Sequence, residues 1–213
     1  FGIAEIKNNK IVNIVEKPKK PITNFAVTGI YFLTPYIFEI IKKLKPSWRN
    51  ELEIADALQM LIEENKKIIY GMITDFWKDT GTPEDIIEAN KIILENMPES
   101  FQGKKEENVI MEGKIIVDKG TIIKNGVKIV GPVIIGKDCI IEGNTVIGEN
   151  TSIGENSYLS DCNISDSIIM SNCTIKGRLE IRNSIIASNS KIIKEKKESN
   201  KKFILGEGTQ ISL

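Results

Sequence analysis

The feature that most restricts the fold is a six-residue period in the second half of the chain. Every sixth residue from 111 to 159 is a large apolar side chain, and the residue four positions later is mostly β-branched or small. Neither an α-helix, which repeats every 3.6 residues, nor an ordinary strand, which repeats every two, has this period. The first column is Met111, Val117, Ile123, Ile129, Ile135, Ile141, Ile147, Ile153 and Leu159, and the second is Ile115, Thr121, Val127, Val133, Cys139, Thr145, Thr151, Ser157 and Asn163.

A hexapeptide repeat accounts for this period. One short strand and one tight turn form one flat side of a prism, three sides close one coil, and nine hexads make about three coils. The first-column side chains then point inward and stack from coil to coil. The pattern resembles the left-handed parallel β-helix of hexapeptide-repeat proteins. The corners favour residues that tolerate positive φ, which predicts such corners at Gly126, Asn144, Asn150 and Asn156.

The repeat changes register after residue 159, and a charged insertion occupies residues 194–202. The insertion fits either a solvated loop or a phosphate-binding loop, because lysines outnumber acids there. The apolar column resumes at Ile169, Ile175, Ile181 and Ile193, and Leu205, Thr209 and Ile211 resemble one further hexad.

Composition changes near residue 100, which indicates a domain boundary. All prolines except Pro132 precede it, and twelve of the sixteen glycines follow it. We therefore predict a first domain at residues 1–97, a linker at 98–109 and the β-helix at 110–213. The first domain reads as mixed α/β, with strands at 1–7, 11–15, 26–33 and 68–73 and helices at 36–44, 51–65 and 83–94.

Composition also excludes several classes of function. Without histidine, the chain has no Ser-His-Asp triad, no histidine general base and no histidine-ligated metal. Its 29 basic and 29 acidic side chains balance, so no net charge attracts nucleic acid or an anionic membrane. Three widely spaced cysteines predict reduced thiols in a cytoplasmic protein. No apolar run reaches the length of a membrane span.

The segment at residues 76–83 is the most distinctive of the first half. Asp79 lies between a predicted strand and a helix whose start is marked by Thr82 as N-cap and Pro83 at the first position. A carboxylate placed there suits an active-site cleft and could hold a divalent cation. Alternatively Asp79 and Thr80 only cap the turn, and spacing alone leaves both interpretations open.

Two other segments combine acids and bases. In Glu16-Lys17-Pro18 the carboxylate could accept from sugar hydroxyls and the ammonium could meet a phosphate, although an exposed ion pair before a turn is the alternative. Arg49 stands just before a predicted helix, with Glu51 and Glu53 beside it.

Together these segments resemble the sugar-phosphate nucleotidyltransferases, and the long thymidylyltransferases of that family also carry a C-terminal hexapeptide β-helix. The likeness covers essentially the whole chain and implies part of a Rossmann-like mixed α/β domain followed by a left-handed parallel β-helix. The segments occur in the family's order and are Phe1-Gly2, Glu16-Lys17-Pro18, residues 27–31, residues 46–54 and Trp77-Lys78-Asp79-Thr80-Gly81.

The resemblance implies a reaction in which glucose 1-phosphate attacks the α-phosphate of dTTP, giving dTDP-glucose and pyrophosphate while Mg²⁺ neutralises the developing charge. It implies two catalytic residues: Lys17, which would contact the sugar phosphate, and Asp79, which would be one of two magnesium ligands. Arg49 is implied as a further phosphate contact. The implied lining of the glucose pocket is Gly2, Glu16, Val27 and Tyr31.

Part of the family pattern is unmatched. The Gly-rich triphosphate loop, the base-reading residues and the second metal aspartate are not found in these 213 residues, and Phe1 reads as mid-strand, so we expect a fragment that is inactive alone. UDP-, ADP- and GDP-sugar enzymes share the same motifs. A bifunctional nucleotidyltransferase–acetyltransferase is a further alternative, weakened by the lack of histidine. The β-helix also predicts a homo-oligomer, such as a trimer.

Overall fold

The computed structural model describes residues 1–194, and the chain falls into two compact units, Phe1–Phe76 and Trp77–Leu213. The hexad predicted at Leu205–Ile211 and all of the charged insertion except Lys194 lie outside the described residues. Within residues 1–194, no helix has the length and apolar character needed to cross a lipid bilayer. The helices are α1 (Ile37–Ile41), α2 (Ile54–Glu63) and α3 (Pro83–Asn96).

The strands have two or three residues each, except for β1, β2, β13 and β15, which have six to nine. They are β1 (Gly2–Lys7), β2 (Lys10–Glu16), β3 (Ser100–Phe101), β4 (Lys104–Lys105), β5 (Ile110–Glu112), β6 (Ile115–Val117), β7 (Ile122–Ile123), β8 (Lys128–Val130), β9 (Val133–Ile135), β10 (Ile140–Glu142), β11 (Val146–Ile147), β12 (Thr151–Ile153), β13 (Tyr158–Ser165), β14 (Ile168–Ile169), β15 (Thr174–Arg182), β16 (Ile185–Ile186) and β17 (Lys191–Ile193).

The first unit begins with a β-hairpin, which confirms the two strands predicted before residue 16. β1 and β2 pair antiparallel, and Asn8 and Asn9 form a two-residue loop with φ of 48° and 59°. Positive φ at both loop residues is typical of a type I′ turn, whose twist matches that of the flanking strands. Asparagine adopts this conformation more readily than most residues, so the sequence Asn-Asn specifies the turn.

The second helix packs on this hairpin. Ala55 and Leu58 form a buried cluster with Ala4 and Ile14, and the amide of Ile14 donates to Gln59 Oε1 at 2.9 Å. Both α1 and α2 are shorter than predicted, and a compact turn at residues 47–51 occupies the predicted start of the second helix. The cluster where α1 meets α2 contains Ile37, Ile40 and Ala57.

Two predicted strands, at residues 26–33 and 68–73, do not form. The first segment starts along β1, since the amide of Val27 donates to the Gly2 carbonyl at 2.8 Å. Beyond that point, neither segment has a ladder partner among the described residues. A strand is stable only when its backbone groups are paired, so both segments are irregular, and several of their large side chains are exposed, as with Phe32 at 97%.

The second unit contains a parallel β-helix of about 5 turns, as the six-residue period predicts, while its hand stays a prediction. Eighteen residues separate paired positions on successive coils, as from Ile122 to Ile140 and from Ile140 to Tyr158. Three hexads therefore make one coil. Tyr158 pairs in turn with Thr174, only sixteen residues further, which is the register change that the sequence indicates after residue 159.

The first column forms the core of the β-helix. From Val117 to Leu159 each member is at most 2% exposed, and Met111 is half-buried. The second column is buried from residue 115 to 157, but Asn163 is exposed, so its placement in that column was wrong. The register change moves Cys162 into the column instead, and its side chain is 2% exposed.

The second-column side chains also connect successive coils by hydrogen bonds. Thr121 Oγ1 donates to the Gly136 carbonyl at 2.6 Å and accepts from the Cys139 amide at 3.0 Å. A small side chain with one polar atom therefore fits this corner, because it fills little space and satisfies backbone groups of its own coil and the next. All three cysteines are free and buried in this column: Cys139, Cys162 and Cys173.

The corners of the coils carry positive φ, as predicted, at Gly126, Asn150 and Asn156, with values of 85°, 58° and 57°. The prediction was wrong at Asn144, because the preceding Gly143 takes the positive φ, at 67°. Glycine adopts this conformation without the steric cost of a Cβ, so it takes the left-handed position when the two residues are adjacent.

The residues predicted as a linker, 98–109, contain the first strands of the β-helix, since β3 pairs with β6 and β4 with β7. α3 also belongs to this unit. Asn90 Nδ2 donates to the Asn150 carbonyl at 3.0 Å, and Lys91 Nζ lies 2.9 Å from Asp166 Oδ1. Along the chain, the boundary between the compact units therefore falls between Phe76 and Trp77, whereas the composition changes some twenty residues later.

Candidate active site

Three of the implied pocket residues meet at the open end of the hairpin. Gly2 and Glu16 are paired in register, opposite the turn. A Cβ placed on Gly2 would lie 3.2 Å from Glu16 Oε2 and 3.6 Å from both Val27 Cβ and Ala55 Cβ. The absence of a side chain at Gly2 therefore leaves space between a carboxylate and two apolar side chains. A glycine within a strand often marks such a place of close approach.

The fourth implied pocket residue, Tyr31, lies near the same carboxylate. Its half-buried ring packs against the cluster that contains Ala55. Burial first, and the negative charge of Glu16 second, raise the pKa of the Tyr31 phenol. The phenol therefore stays protonated at neutral pH and can donate a hydrogen bond. All four implied pocket residues thus lie together in the first unit.

Lys17 has an unusual backbone conformation at the end of β2. Its φ is 39°, although it is not glycine and it precedes Pro18. Residues before proline favour extended conformations, so a positive φ here is strained. The amide of Lys17 donates to the Phe1 carbonyl at 3.1 Å, which holds this conformation, and its side chain is exposed directly after Glu16.

Arg49 is held by two carboxylates in the turn before α2. Its Nη2 lies 2.9 Å from Glu51 Oε2, and its Nη1 lies 3.3 Å from Glu53 Oε1. Ser47 Oγ donates to the same Glu53 oxygen at 3.0 Å, and Glu53 is only 8% exposed. The arginine therefore braces this turn and compensates a buried carboxylate. Its implied contact with a phosphate stays a prediction.

Asp79 belongs to the second unit, in the loop before α3, and its side chain is exposed. A Cβ placed on Gly81 would lie 3.5 Å from Asp79 Oδ2, so the glycine borders the carboxylate. The cap of α3 is Thr82, whose Oγ1 accepts from the Asp85 amide at 3.2 Å, as the sequence predicts. The N-cap at Thr82 is thus confirmed, and both interpretations of Asp79, as a metal ligand and as a cap of the turn with Thr80, stay predictions.

The donor set at Asp79 fits one ligand of a magnesium site. Mg²⁺ prefers oxygen ligands and is commonly held by one or two carboxylates together with substrate phosphates. Among residues 1–194, no group of three or more acidic, cysteine or histidine side chains could hold a metal ion. The resemblance implies a second magnesium ligand in addition to Asp79, and this stays a prediction.

Sequence reasoning missed two residues near these positions. Ala55 borders Gly2, and its only signal was its place in the apolar stripe of the second predicted helix. Lys78 pairs with Asp85 and Glu88 on α3, and nothing in its spacing distinguished it from a solvated lysine.

A cluster of three titratable groups lies on the outer surface of the β-helix. The Glu142 carboxylate accepts hydrogen bonds from Lys124 and from the Tyr158 hydroxyl. These bonds lower the pKa of Glu142, and the bond to Glu142 raises the pKa values of Lys124 and Tyr158. Lys124 therefore stays a protonated ammonium at neutral pH, so this cluster does not supply the base that acyl transfer needs.

These features fit the resemblance to the sugar-phosphate nucleotidyltransferases: the hairpin pocket with Glu16 lies in the first unit, and the exposed Asp79 and the parallel β-helix lie in the second. Comparison with family models agrees, since residues 1–96 match the nucleotidyl transferase family. Residues 129–212 match the GMPPB C-terminal domain. The first 96 residues of the chain are therefore similar to the nucleotidyl transferase family.

Individual relatives carry several names. The chain is 41% identical over 116 residues to the low-salt glycan biosynthesis nucleotidyltransferase Agl11 of Haloferax volcanii, covering 54% of this chain and 32% of that protein. A glucose-1-phosphate thymidylyltransferase of Streptomyces antibioticus is 38% identical over 121 residues, 56% of this chain and 34% of its own. The bifunctional protein GlmU of Methanococcus aeolicus is 41% identical over 123 residues, which cover 57% of this chain and 29% of that protein. The chain thus spans about a third of the length of these relatives.

Proposed function

We propose that this chain supplies the sugar-phosphate side of an enzyme that joins glucose 1-phosphate to dTTP, with dTDP-glucose and pyrophosphate as products. The observation that carries the proposal is the pocket where Gly2, Glu16, Val27 and Tyr31 meet. Relatives named glucose-1-phosphate thymidylyltransferase support this choice of substrates.

In this proposal the hairpin pocket binds the sugar. The Glu16 carboxylate accepts hydrogen bonds from sugar hydroxyls, and such charge-assisted bonds are stronger than neutral ones. Gly2 leaves the space that the ring needs beside that carboxylate, while Val27 and Tyr31 contact the less polar edges of the sugar. Lys17 follows Glu16 directly, so its ammonium can meet the phosphate of a sugar held by the preceding residue.

The residues promote transfer mainly by position and charge. A phosphate oxygen of the sugar attacks the α-phosphate in line, and the bond to the pyrophosphate leaving group breaks. Lys17 reduces the repulsion between the two anionic substrates. Asp79 would hold Mg²⁺, which when bound would neutralise charge on the triphosphate. Arg49 would have to exchange its ion pairs with Glu51 and Glu53 before it could contact a phosphate.

Pyrophosphate release tests the reaction. It is measured with glucose 1-phosphate and each of dTTP, UTP, ATP and GTP, for this chain and for the longest polypeptide that its gene encodes. We expect the longer protein to be most active with dTTP and the 213-residue chain to be inactive. A preference for UTP, ATP or GTP would move the assignment to the corresponding sugar nucleotide, and inactivity with all four would refute it.

Two glycine variants test the pocket itself. Gly2→Ala places a methyl group 3.2 Å from Glu16 Oε2, whereas Gly71→Ala introduces the same group with no atom within 4 Å. Losing one charge-assisted hydrogen bond corresponds to a rise in KM for glucose 1-phosphate of roughly ten- to a hundredfold. We expect this rise in Gly2→Ala only, with both variants made and assayed in the longest polypeptide that the gene encodes. Equal KM values in the two variants would place the sugar elsewhere.

A second candidate is a bifunctional enzyme, favoured by the relatives named bifunctional protein GlmU. In that case the β-helix would transfer an acyl group in addition to the nucleotidyl transfer. Free-thiol release from acetyl-CoA with amino-sugar phosphates as acceptors measures this activity. We expect none, because the chain has no histidine and Lys124 is bound to Glu142.

A further inference from the structure

We propose that Lys78 is a positioning residue that holds the loop carrying Asp79 in one conformation. Lys78 Nζ lies 2.9 Å from Asp85 Oδ1 and also bonds Glu88 Oε2. The two acids are three residues apart on α3, so they lie on one face of the first turns. Only about a quarter of the Lys78 side chain is exposed, which distinguishes it from a freely solvated lysine.

The Asp85 carboxylate closes the loop from both ends. Its Oδ1 contacts Lys78, and its Oδ2 accepts from Thr82 Oγ1 at 2.7 Å. Lys78 and Thr82 directly precede and follow the three residues Asp79, Thr80 and Gly81. One carboxylate therefore joins the two ends of a three-residue loop, and we call these contacts of Asp85 with Lys78 and Thr82 the clamp. The conformations open to Asp79 are those that keep both ends in place.

The helix that supplies this carboxylate is itself anchored. Asn90 donates to the Asn150 carbonyl and accepts from Ser152 Oγ, and Lys91 pairs with Asp166. These contacts tie the middle of α3 to two coils of the β-helix. The loop is thus attached, through Lys78 and α3, to a rigid solenoid.

This inference rests on the proposed function only for its effect on catalysis. If Asp79 holds Mg²⁺ there, an unclamped loop presents the carboxylate in the productive orientation for less of the time. The apparent Mg²⁺ requirement then rises and kcat falls, while KM for glucose 1-phosphate, set by the hairpin pocket, is unchanged.

The loop is tested directly through Trp77, which precedes Lys78. A Trp48→Phe background leaves Trp77 as the only indole, and a Trp77→Phe variant gives the acrylamide quenching constant of the exposed Trp48 as a reference. We expect Lys78→Met to raise the quenching constant of Trp77 toward this reference, at most about twofold, because Trp77 and Trp48 are 36% and 77% exposed. Lys78→Arg, which keeps the charge and reaches both acids, restores much of the original value.

Lys119→Met is the matched control, because Lys119 is an exposed lysine of the same unit and lies outside the clamp. Unchanged quenching in Lys78→Met, or an equal rise in Lys119→Met, overturns the proposal. The kinetic test follows in the longest polypeptide of the gene, where an unchanged Mg²⁺ requirement in Lys78→Met also counts against the clamp. Inactivity of the unsubstituted protein with all four nucleotides would refute the proposed function, while the quenching result would still decide the clamp.

Discussion

Replacing one core isoleucine of the β-helix tests whether stacked coils give the second unit its stability. Ile141 is fully buried and pairs in register with Ile123 on the preceding coil and Leu159 on the following one. Removing three carbons from such a site costs about 2–5 kcal/mol of unfolding free energy. The backbone around the cavity is held by ladder hydrogen bonds on both sides and can relax little, so we expect a loss of about 3–4 kcal/mol in Ile141→Ala.

The neighbouring residue provides a matched control. Ile140 lies on the same strand, β10, but its side chain faces outward and is 37% exposed. Ile140→Ala makes the same chemical change with the same loss of strand propensity, so the difference between the two variants reports burial alone. From partial burial we expect a loss of about 1 kcal/mol in this control.

Thiol labelling in a urea series measures the unfolding of this unit specifically. All three cysteines are buried in the β-helix, so labelling requires its coils to open. We expect the midpoint of labelling to fall much further in Ile141→Ala than in Ile140→Ala. Equal shifts would mean that the inward column does not carry the stability, and the reasoning from stacked coils would fail.

Three further predictions concern the β-helix unit. Asn90→Ala removes two hydrogen bonds, so we expect α3 to lose about 1–3 kcal/mol of protection in hydrogen exchange. Hydrogen bonds from Lys91 and Asn150 lower the pKa of Asp166. The ionised carboxylate therefore stabilises the fold above the ordinary aspartate pKa, and this contribution disappears as the pH falls through the lowered value. Urea unfolding should therefore find Asp166→Asn less stable than the parent at pH 7 and equally stable in acid. Burial raises the pKa of Cys162 to about 11, so we expect no reaction with Ellman's reagent at pH 8 until denaturant is added.

The β-helix could be predicted because its information is local and repeated. Each hexad places its apolar residue at the same offset, and nine repeats leave little ambiguity about which side chains point inward. The errors occur where the repeat departs from itself. Asn163 was assigned to the buried column because the six-residue spacing was continued past residue 159. The coils there are shorter, as the pairing of Tyr158 with Thr174 shows, and no single residue of the sequence marks this change of length.

The first unit was harder to predict because strands depend on partners. Residues 26–33 have the β-branched and aromatic composition of a buried strand, yet only Ala26 forms a bridge, to Ile3. Propensity describes a single segment, whereas a ladder needs two. Gly2 could be named as a pocket residue only through the family resemblance, since a single glycine at the start of a strand has no periodic signal. Glu16 was also a candidate from its own segment, because it stands beside Lys17.

The boundary between the two compact units lies after Phe76, whereas the composition of the sequence changes near residue 100, and we expect fragments that begin at these two places to differ in stability. Ile87 and Leu94 on α3 are 8% and 2% exposed and lie seven residues apart on one face, the face that also bears Asn90. Asn90 and Lys91 bond the coils of the second unit, and we expect Ile87 and Leu94 to be buried against the same coils. A fragment of residues 77–213 keeps this packing, whereas 98–213, which starts where the composition changes, loses it. Full burial of such side chains contributes about 1.5–3 kcal/mol each, so urea unfolding followed by thiol labelling should find the shorter fragment less stable by a few kcal/mol. Equal stability of the two fragments would mean that α3 merely rests on the β-helix, and the anchoring of the Asp79 loop through that helix would lose its support.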